Sequence, residues 1–235
     1  VVGQCNHTGA VHAAELARKA EAAGADLVAV ALPHLFPTSD EDLARYAQTV
    51  CDAVKVPVML QDFNPGGYTV GADFCAKLSE RCDNFRYIKL EEPRMGPKML
   101  AIHQATGGKV GVLEGWGGLY MPELVPQGCI GSVPGFVLSD LLVRIFDLLK
   151  AGDKVAAFEI FCEVVPFINF SLENFELYHH AEKQLLVQRG VLKSAHVRDL
   201  TTHLDPGGET YLAFLAERLW ATLDRFGFAR CPLAG

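Results

Sequence analysis

Short, continuously apolar runs alternate with amphipathic helical stretches through Lys150, and this alternation limits the folds open to the chain. Val1 to Cys5 is strand-like, and Ala10 to Ala23 is helical, closing at Gly24. Asp26 to Leu32 reads as a buried strand, and Ser39 as the N-cap of a helix running to Val54. The same beat gives strands over Pro57–Gln61, Arg86–Leu90, Lys109–Leu113 and Cys129–Val133. Helices fall between and after them, over Gly71–Arg81, Pro97–Ala105, Met121–Gln127 and Leu138–Lys150. The strands are apolar on both faces rather than alternating, as parallel strands covered by helices on either side must be. Repeated βα units of this kind build either a doubly wound sheet or a (β/α)8 barrel.

From Asp153 onward the strands stop. Asp153–Ile168, Glu173–Arg189 and Glu209–Phe226 read as helices, with a loop over Ser194–Gly208 in which Asp205-Pro206-Gly207-Gly208 is a turn. The expected organisation is a βα-repeat body over 1–152 and an all-helical C-terminal extension over 153–235. About six βα units can be counted, against the eight of a closed barrel.

In a parallel α/β protein the chemistry gathers at the C-terminal ends of the strands. Those ends are polar or glycine-rich here: Gln4-Cys5-Asn6-His7-Thr8, Pro33-His34, Gln61-Asp62-Phe63-Asn64, Lys89-Leu90-Glu91-Glu92, Glu114-Gly115-Trp116-Gly117-Gly118 and Gly131-Ser132-Val133-Pro134-Gly135. Lys89 stands out among them. It closes the apolar run Tyr87-Ile88-Lys89-Leu90, and strand alternation sets it on the same side as Glu91. A desolvated lysine favours its neutral amine, which attacks carbonyls to give a Schiff base. The plainer alternative is a lysine with a buried stem and a head in water. Glycine-rich strand ends admit a substrate to the backbone, although tight turns alone also explain them.

The acidic balance, a net charge of −7, disfavours a nucleic-acid or anionic-membrane surface. Apolar runs break before the roughly 20 residues that a membrane span needs. The chain opens directly on a strand-like segment rather than a signal peptide. The 7 cysteines have no CxxC spacing and read as reduced core thiols of a cytoplasmic protein. There is no GxGxxG after a strand, no P-loop and no HExxH, so a nucleotide enzyme or zinc protease is disfavoured.

Several segments resemble the dihydrodipicolinate synthase / N-acetylneuraminate lyase superfamily of class I aldolases and dehydratases. Glu21-Ala22-Ala23-Gly24-Ala25-Asp26 with Leu32-Pro33 is similar to its helix and fourth strand. Pro57-Val58-Met59-Leu60 is similar to the fifth strand, Ile88-Lys89 to the sixth, and Gly128-Cys129-Ile130-Gly131-Ser132 to the eighth. The resemblance implies a (β/α)8 barrel, here starting at the third strand and lacking the first two βα units, with roughly 70 further N-terminal residues expected. It also implies that Lys89 is the Schiff-base lysine. The tyrosine that usually ends the family's fifth strand is Gln61 here, and the second tyrosine of the synthase proton relay is Leu35. An amide or an alkyl group cannot relay protons as a phenol does, which speaks against synthase activity. Leu60-Gln61-Asp62, Lys89-Leu90-Glu91-Glu92-Pro93 and Gly117-Gly118-Leu119-Tyr120 look more like the 2-keto-3-deoxy sugar-acid dehydratase branch.

The expectation is therefore a Schiff-base lyase, a dehydratase or aldolase, acting on a small 2-keto acid such as a 2-keto-3-deoxy sugar acid. Lys89 would be the nucleophile, Glu91 would transfer protons, and Gln61 would orient a hydroxyl or a water. Gly115, Gly131, Ser132 and Asn6 would line the substrate site, with neither metal nor cofactor. The family resemblance implies a homo-oligomer, a tetramer or dimer. The alternatives are an inactive or fragmentary barrel homologue with a binding or assembly role, or an aldolase closer to dihydrodipicolinate synthase or N-acetylneuraminate lyase.

Overall fold

The computed structural model describes residues 1–35 and 38–231. By packing, the chain divides into two compact units: Val1–Gly115 with Gln127–Gly131, and Trp116–Pro126 with Ser132–Gly235.

The first unit is a parallel sheet with its helices. Its strands are β1 (Val2–Gln4), β2 (Leu27–Ala31), β3 (Val58–Asp62), β4 (Phe85–Leu90) and β5 (Gly111–Glu114), and β6 (Gly131–Ser132) carries the chain across into the second unit. The order in the sheet is the order in the chain. Val2 pairs with Leu27, Val28 with Val58, Leu60 with Ile88 and Ile88 with Val112, all parallel. The helices are α1 (Ala10–Ala22), α2 (Asp40–Cys51), α3 (Ala72–Arg81) and α4 (Met95–Thr106). Val28, Val30, Val58, Leu60, Ile88 and Val112 are all buried, as the unbroken apolar runs require of strands covered on both faces.

Local chemistry sets the ends of these elements. Ser39 caps α2 as expected: its hydroxyl accepts from Asp42 N–H, and the Asp42 carboxylate reaches back to the Ser39 N–H. The helix ends at Cys51 rather than Val54. Glu21, near the end of α1, accepts from Lys55 and Val56 N–H at 2.7 and 3.0 Å and so orients the entry to β3. Gly3 lets α1 close on β1, since a Cβ there would lie 2.6 Å from the Ala20 Cβ. Arg94, in the left-handed region at φ 61°, precedes α4.

The second unit is helical. It holds the short α5 (Met121–Leu124), α6 (Ser139–Ala151), α7 (Lys154–Leu172), α8 (Phe175–Gln188) and α9 (Pro206–Arg225). α7 packs on α6, α8 and α9. It is also long and apolar enough, by length and composition alone, to cross a membrane. The apolar letters of α7 are interrupted by Glu159 and Glu163, which hides that length from a search for unbroken runs. Asp205-Pro206-Gly207-Gly208 is a helix start rather than a free turn. The Asp205 carboxylate accepts from Gly208 N–H at 2.7 Å, and Pro206 occupies the first helical turn, where its missing N–H costs nothing. Strand β6 is shorter than the expected Cys129–Val133.

Candidate active site

Gln61 and Asp62 end β3, and because successive residues on a strand face opposite ways they feed two separate polar clusters. The first holds Lys89 at the end of β4 and Glu91 just beyond it. Lys89 Nζ is 2.6 Å from Glu91 Oε1, with side-chain exposures of 14% and 7%. Gln61 Nε2 donates to the same carboxylate at 2.7 Å. Strand pairing opposes Gln61 to Lys89, which is why neighbouring strands deliver both to one place. A buried carboxylate shared by an amine and an amide is held in place by both.

The network continues toward β1. Gln4 Nε2 donates to Asn6 Oδ1 at 2.6 Å and lies 3.4 Å from Gln61 Oε1. Asn6 Oδ1 also accepts from Ala31 N–H at 2.7 Å, so this side chain ties the end of β1 to β2. Gly115 meets the site through the absence of a side chain: a Cβ there would lie 2.2 Å from Glu91 Cγ and 2.8 Å from Lys89 Cε. Gly131 ends the first unit, and a Cβ there would make an ordinary contact with Leu113 Cδ2 at 3.8 Å. Ser132 belongs to the second unit, as the last residue of β6. Gln61, Lys89 and Gly115 thus all meet Glu91, while Asn6 joins them through Gln4.

The second cluster surrounds Asp62, which is 1% exposed. Its carboxylate accepts from Val70 N–H at 2.9 Å and lies 3.2 Å from both His34 Nε2 and Lys98 Nζ. Burial pushes the Asp62 carboxyl above its usual range, and Lys98 and His34 pull against that. Lys98 also pairs with Glu92 at 2.8 Å, and Glu92 accepts from the Thr69 hydroxyl. Lys98 carries no motif in the sequence. It reaches this cluster because α4 starts at Met95, immediately after the left-handed Arg94. On α2, Tyr46 donates to the His7 carbonyl at 2.6 Å, and burial pushes its phenol up to about 12. Leu35, at the position of the relay tyrosine, is exposed.

The chain has relatives among known proteins. The chain is 24% identical over 205 residues to an L-2-keto-3-deoxyarabonate dehydratase of Azospirillum brasilense, covering 86% of this chain and 66% of that protein. It is 29% identical over 167 residues to a probable 5-dehydro-4-deoxyglucarate dehydratase of Xanthobacter autotrophicus, covering 66% of this chain and 51% of that one. The chain therefore spans from about half to about two thirds of these relatives' lengths. The crystal structure of dihydrodipicolinate synthase from Rhodopseudomonas palustris superposes with a TM-score of 0.83 at 25% identity, over 93% of this chain and 74% of that one. A prophage protein of the dihydrodipicolinic acid synthase family from E. coli, solved in complex with pyruvate, has the same fold at 22% identity, with a TM-score of 0.81 over 94% of this chain and 75% of that one. The model of the dihydrodipicolinate synthetase family matches residues 2–214, nearly the whole βα sheet and most of the helices after it, and the chain belongs to that family.

Proposed function

We propose that this chain carries the catalytic core of a Schiff-base lyase acting on a small 2-keto acid of the 2-keto-3-deoxy sugar-acid type. The observation that carries this is the buried Lys89–Glu91–Gln61 triad at the C-terminal end of the parallel sheet. The dehydratases among the relatives support the substrate class. We take the six strands as part of an eight-unit barrel, in keeping with the share of the relatives' length that the chain spans.

In this mechanism the neutral Lys89 amine adds to the C2 carbonyl, and the carbinolamine loses water to leave an iminium. Glu91, 2.6 Å from the nitrogen, takes the proton that the amine sheds. The iminium draws electrons from C3. Loss of a C3 proton gives an enamine, which expels the C4 hydroxyl as water. Cleavage of the C3–C4 bond would start from the same iminium: the C4 hydroxyl loses its proton, the aldehyde leaves, and the bond electrons stay as the enamine of the shortened keto acid. Gln61, held by Glu91, presents its amide to a substrate hydroxyl. Gly131 and Asn6 are proposed to border the carboxylate end. Without a tyrosine in place of Gln61, proton traffic falls to Glu91 and water. We also propose that the protein works as a homo-oligomer, following its family.

Trapping tests the reading. Pyruvate with sodium borohydride should add one reduced pyruvate to Lys89, located by peptide mass spectrometry, and Lys89→Ala should take no label. Labelling elsewhere, or none in a folded protein, refutes the Schiff base and leaves a binding or assembly role.

A further inference from the structure

Gln61 and Asp62 are neighbours at the end of β3, and Glu91 and Glu92 are neighbours just past the end of β4. Gln61 Nε2 donates to Glu91 Oε1 at 2.7 Å. Asp62 and Glu92 instead converge on a single amine: Lys98 Nζ lies 2.8 Å from Glu92 Oε1 and 3.2 Å from Asp62 Oδ2. The two polar clusters are therefore not independent. The peptide bonds from Gln61 to Asp62 and from Glu91 to Glu92 join them. Through those bonds Lys98 ties together the two backbone points from which Gln61 and Glu91 project.

The amine is well anchored. Lys98 stands near the start of α4, a helix whose Met95, Met99 and Ile102 are buried in the core. Further donors orient both carboxylates. Val70 N–H donates to Asp62 at 2.9 Å, His34 Nε2 lies 3.2 Å from the other Asp62 oxygen, and the Thr69 hydroxyl donates to Glu92. Glu91 and Glu92 lie beyond the paired part of β4, which ends with Leu90 opposite Glu114, so side-chain bonds set where they sit. The side chains of Asp62, Glu92 and Lys98 are 0%, 18% and 15% exposed, so water screens their charges only weakly. Without the ammonium, two shielded carboxylates would face one gap and repel each other. Glu92 is the more exposed of the two and would move outward, and Glu91 would be drawn with it.

We propose that Lys98 is a positioning residue for the Lys89–Glu91 pair: by holding Glu92 against Asp62 it keeps Glu91 against Lys89 and Gln61. It acts through Glu91 and touches no reacting atom. The inference rests on the lyase reading given above. On that reading Glu91, 2.6 Å from Lys89 Nζ, takes the proton that the amine sheds on adding to a carbonyl. A carboxylate displaced by about 1 Å accepts that proton poorly, although the keto acid still binds. Lys98 therefore governs the rate of imine formation rather than the affinity for the keto acid.

Time-resolved trapping tests this. Protein and pyruvate are mixed for set times and quenched with sodium borohydride, and the label at Lys89 is quantified by peptide mass spectrometry across a range of pyruvate concentrations. Lys98→Met should slow labelling at saturating pyruvate by roughly 100-fold, while the half-saturating concentration stays within about threefold of wild type. Glu92→Gln removes the charge from the outer arm and leaves the buried Asp62–Lys98 pair intact. It should slow labelling about tenfold, again without a matching loss of saturation, and it decides the matter if Lys98→Met does not fold. A wild-type labelling rate in either folded variant would overturn the positioning role. So would a loss that appears only as weaker saturation by pyruvate. Absence of label at Lys89 in the wild-type protein is a different failure: it removes the lyase reading, and this role with it.

Discussion

Gly115 stands where Glu91 leaves no room: a Cβ on it would lie 2.2 Å from the Glu91 Cγ. The same atom would lie 2.8 Å from the Lys89 Cε and 2.8 Å from the Leu90 carbonyl oxygen. A glycine on β5's exit is therefore what allows the amine and its carboxylate to share their pocket. Gly115→Ala is expected to displace the pair and lower lyase turnover by roughly 100-fold, the scale set by misplacing a reacting group by about 1 Å. Circular dichroism should remain native. Unchanged turnover and trapping in the alanine variant would show that Gly115 does not confine Lys89.

Glu91→Gln keeps the size and removes the proton acceptor. Turnover should fall by about 10²–10⁴, the range for a positioned acid–base group, while slow trapping at Lys89 persists. Gln61→Leu should cost less, about tenfold, because it deletes one hydrogen bond to Glu91 rather than the carboxylate itself. If Gln61→Leu is the more damaging of the two, the roles assigned to them are reversed.

Glu182, on α8, is a buried carboxyl of the second unit. It accepts from Val137 N–H at 3.1 Å and crowds Gly135, and burial pushes its pKa up to about 7. Its ordinary value is 4.5, so between about 4.5 and 7 the folded chain holds a proton that the unfolded chain has released. Stability from this group is therefore full at low pH and is lost as pH rises through about 7, by up to roughly 3 kcal/mol. Glu182→Gln should flatten that part of the stability–pH curve and raise stability above neutrality, measured by urea unfolding across pH 5–8.5. A wild-type curve that climbs over this interval, with the variant parallel to it, would contradict the assignment.

Arg189 follows α8 at 2% exposure. It pairs with Asp140 and donates to the carbonyls of Val137, Ala229 and Arg230. Arg189→Met should destabilise the fold by about 3 kcal/mol, the lower end for breaking such a pair, because Asp140 keeps contact with water. Arg189→Lys should recover only part of that, since an ammonium has three donors and lacks the planar five-donor fork that meets Asp140 and the three carbonyls. Guanidinium unfolding midpoints would measure both.

The sequence shows this architecture wherever periodicity governs it. The apolar runs mark the strands, Ser39 marks a helix start, and the two-residue step from Lys89 to Glu91 foretells their contact. What escaped depends on partners distant in the chain. Lys98 finds Asp62 only because α4 begins two residues before the expected Pro97, behind a left-handed arginine. Asp205-Pro206 carries both turn chemistry and cap chemistry, and the helix that follows decides between them. Glu182 looks like any helical glutamate until Gly135 is seen against it.

Sheet order equal to chain order has a consequence for biosynthesis. Each strand from β1 to β4 finds its next partner about 24 to 30 residues further along. No strand waits for a distant segment to be translated before it can pair. A nascent chain emerging at about 5–20 residues per second can add one βα unit every few seconds. On the growing side of the sheet, the edge left open at each moment is the one that the next unit will cover.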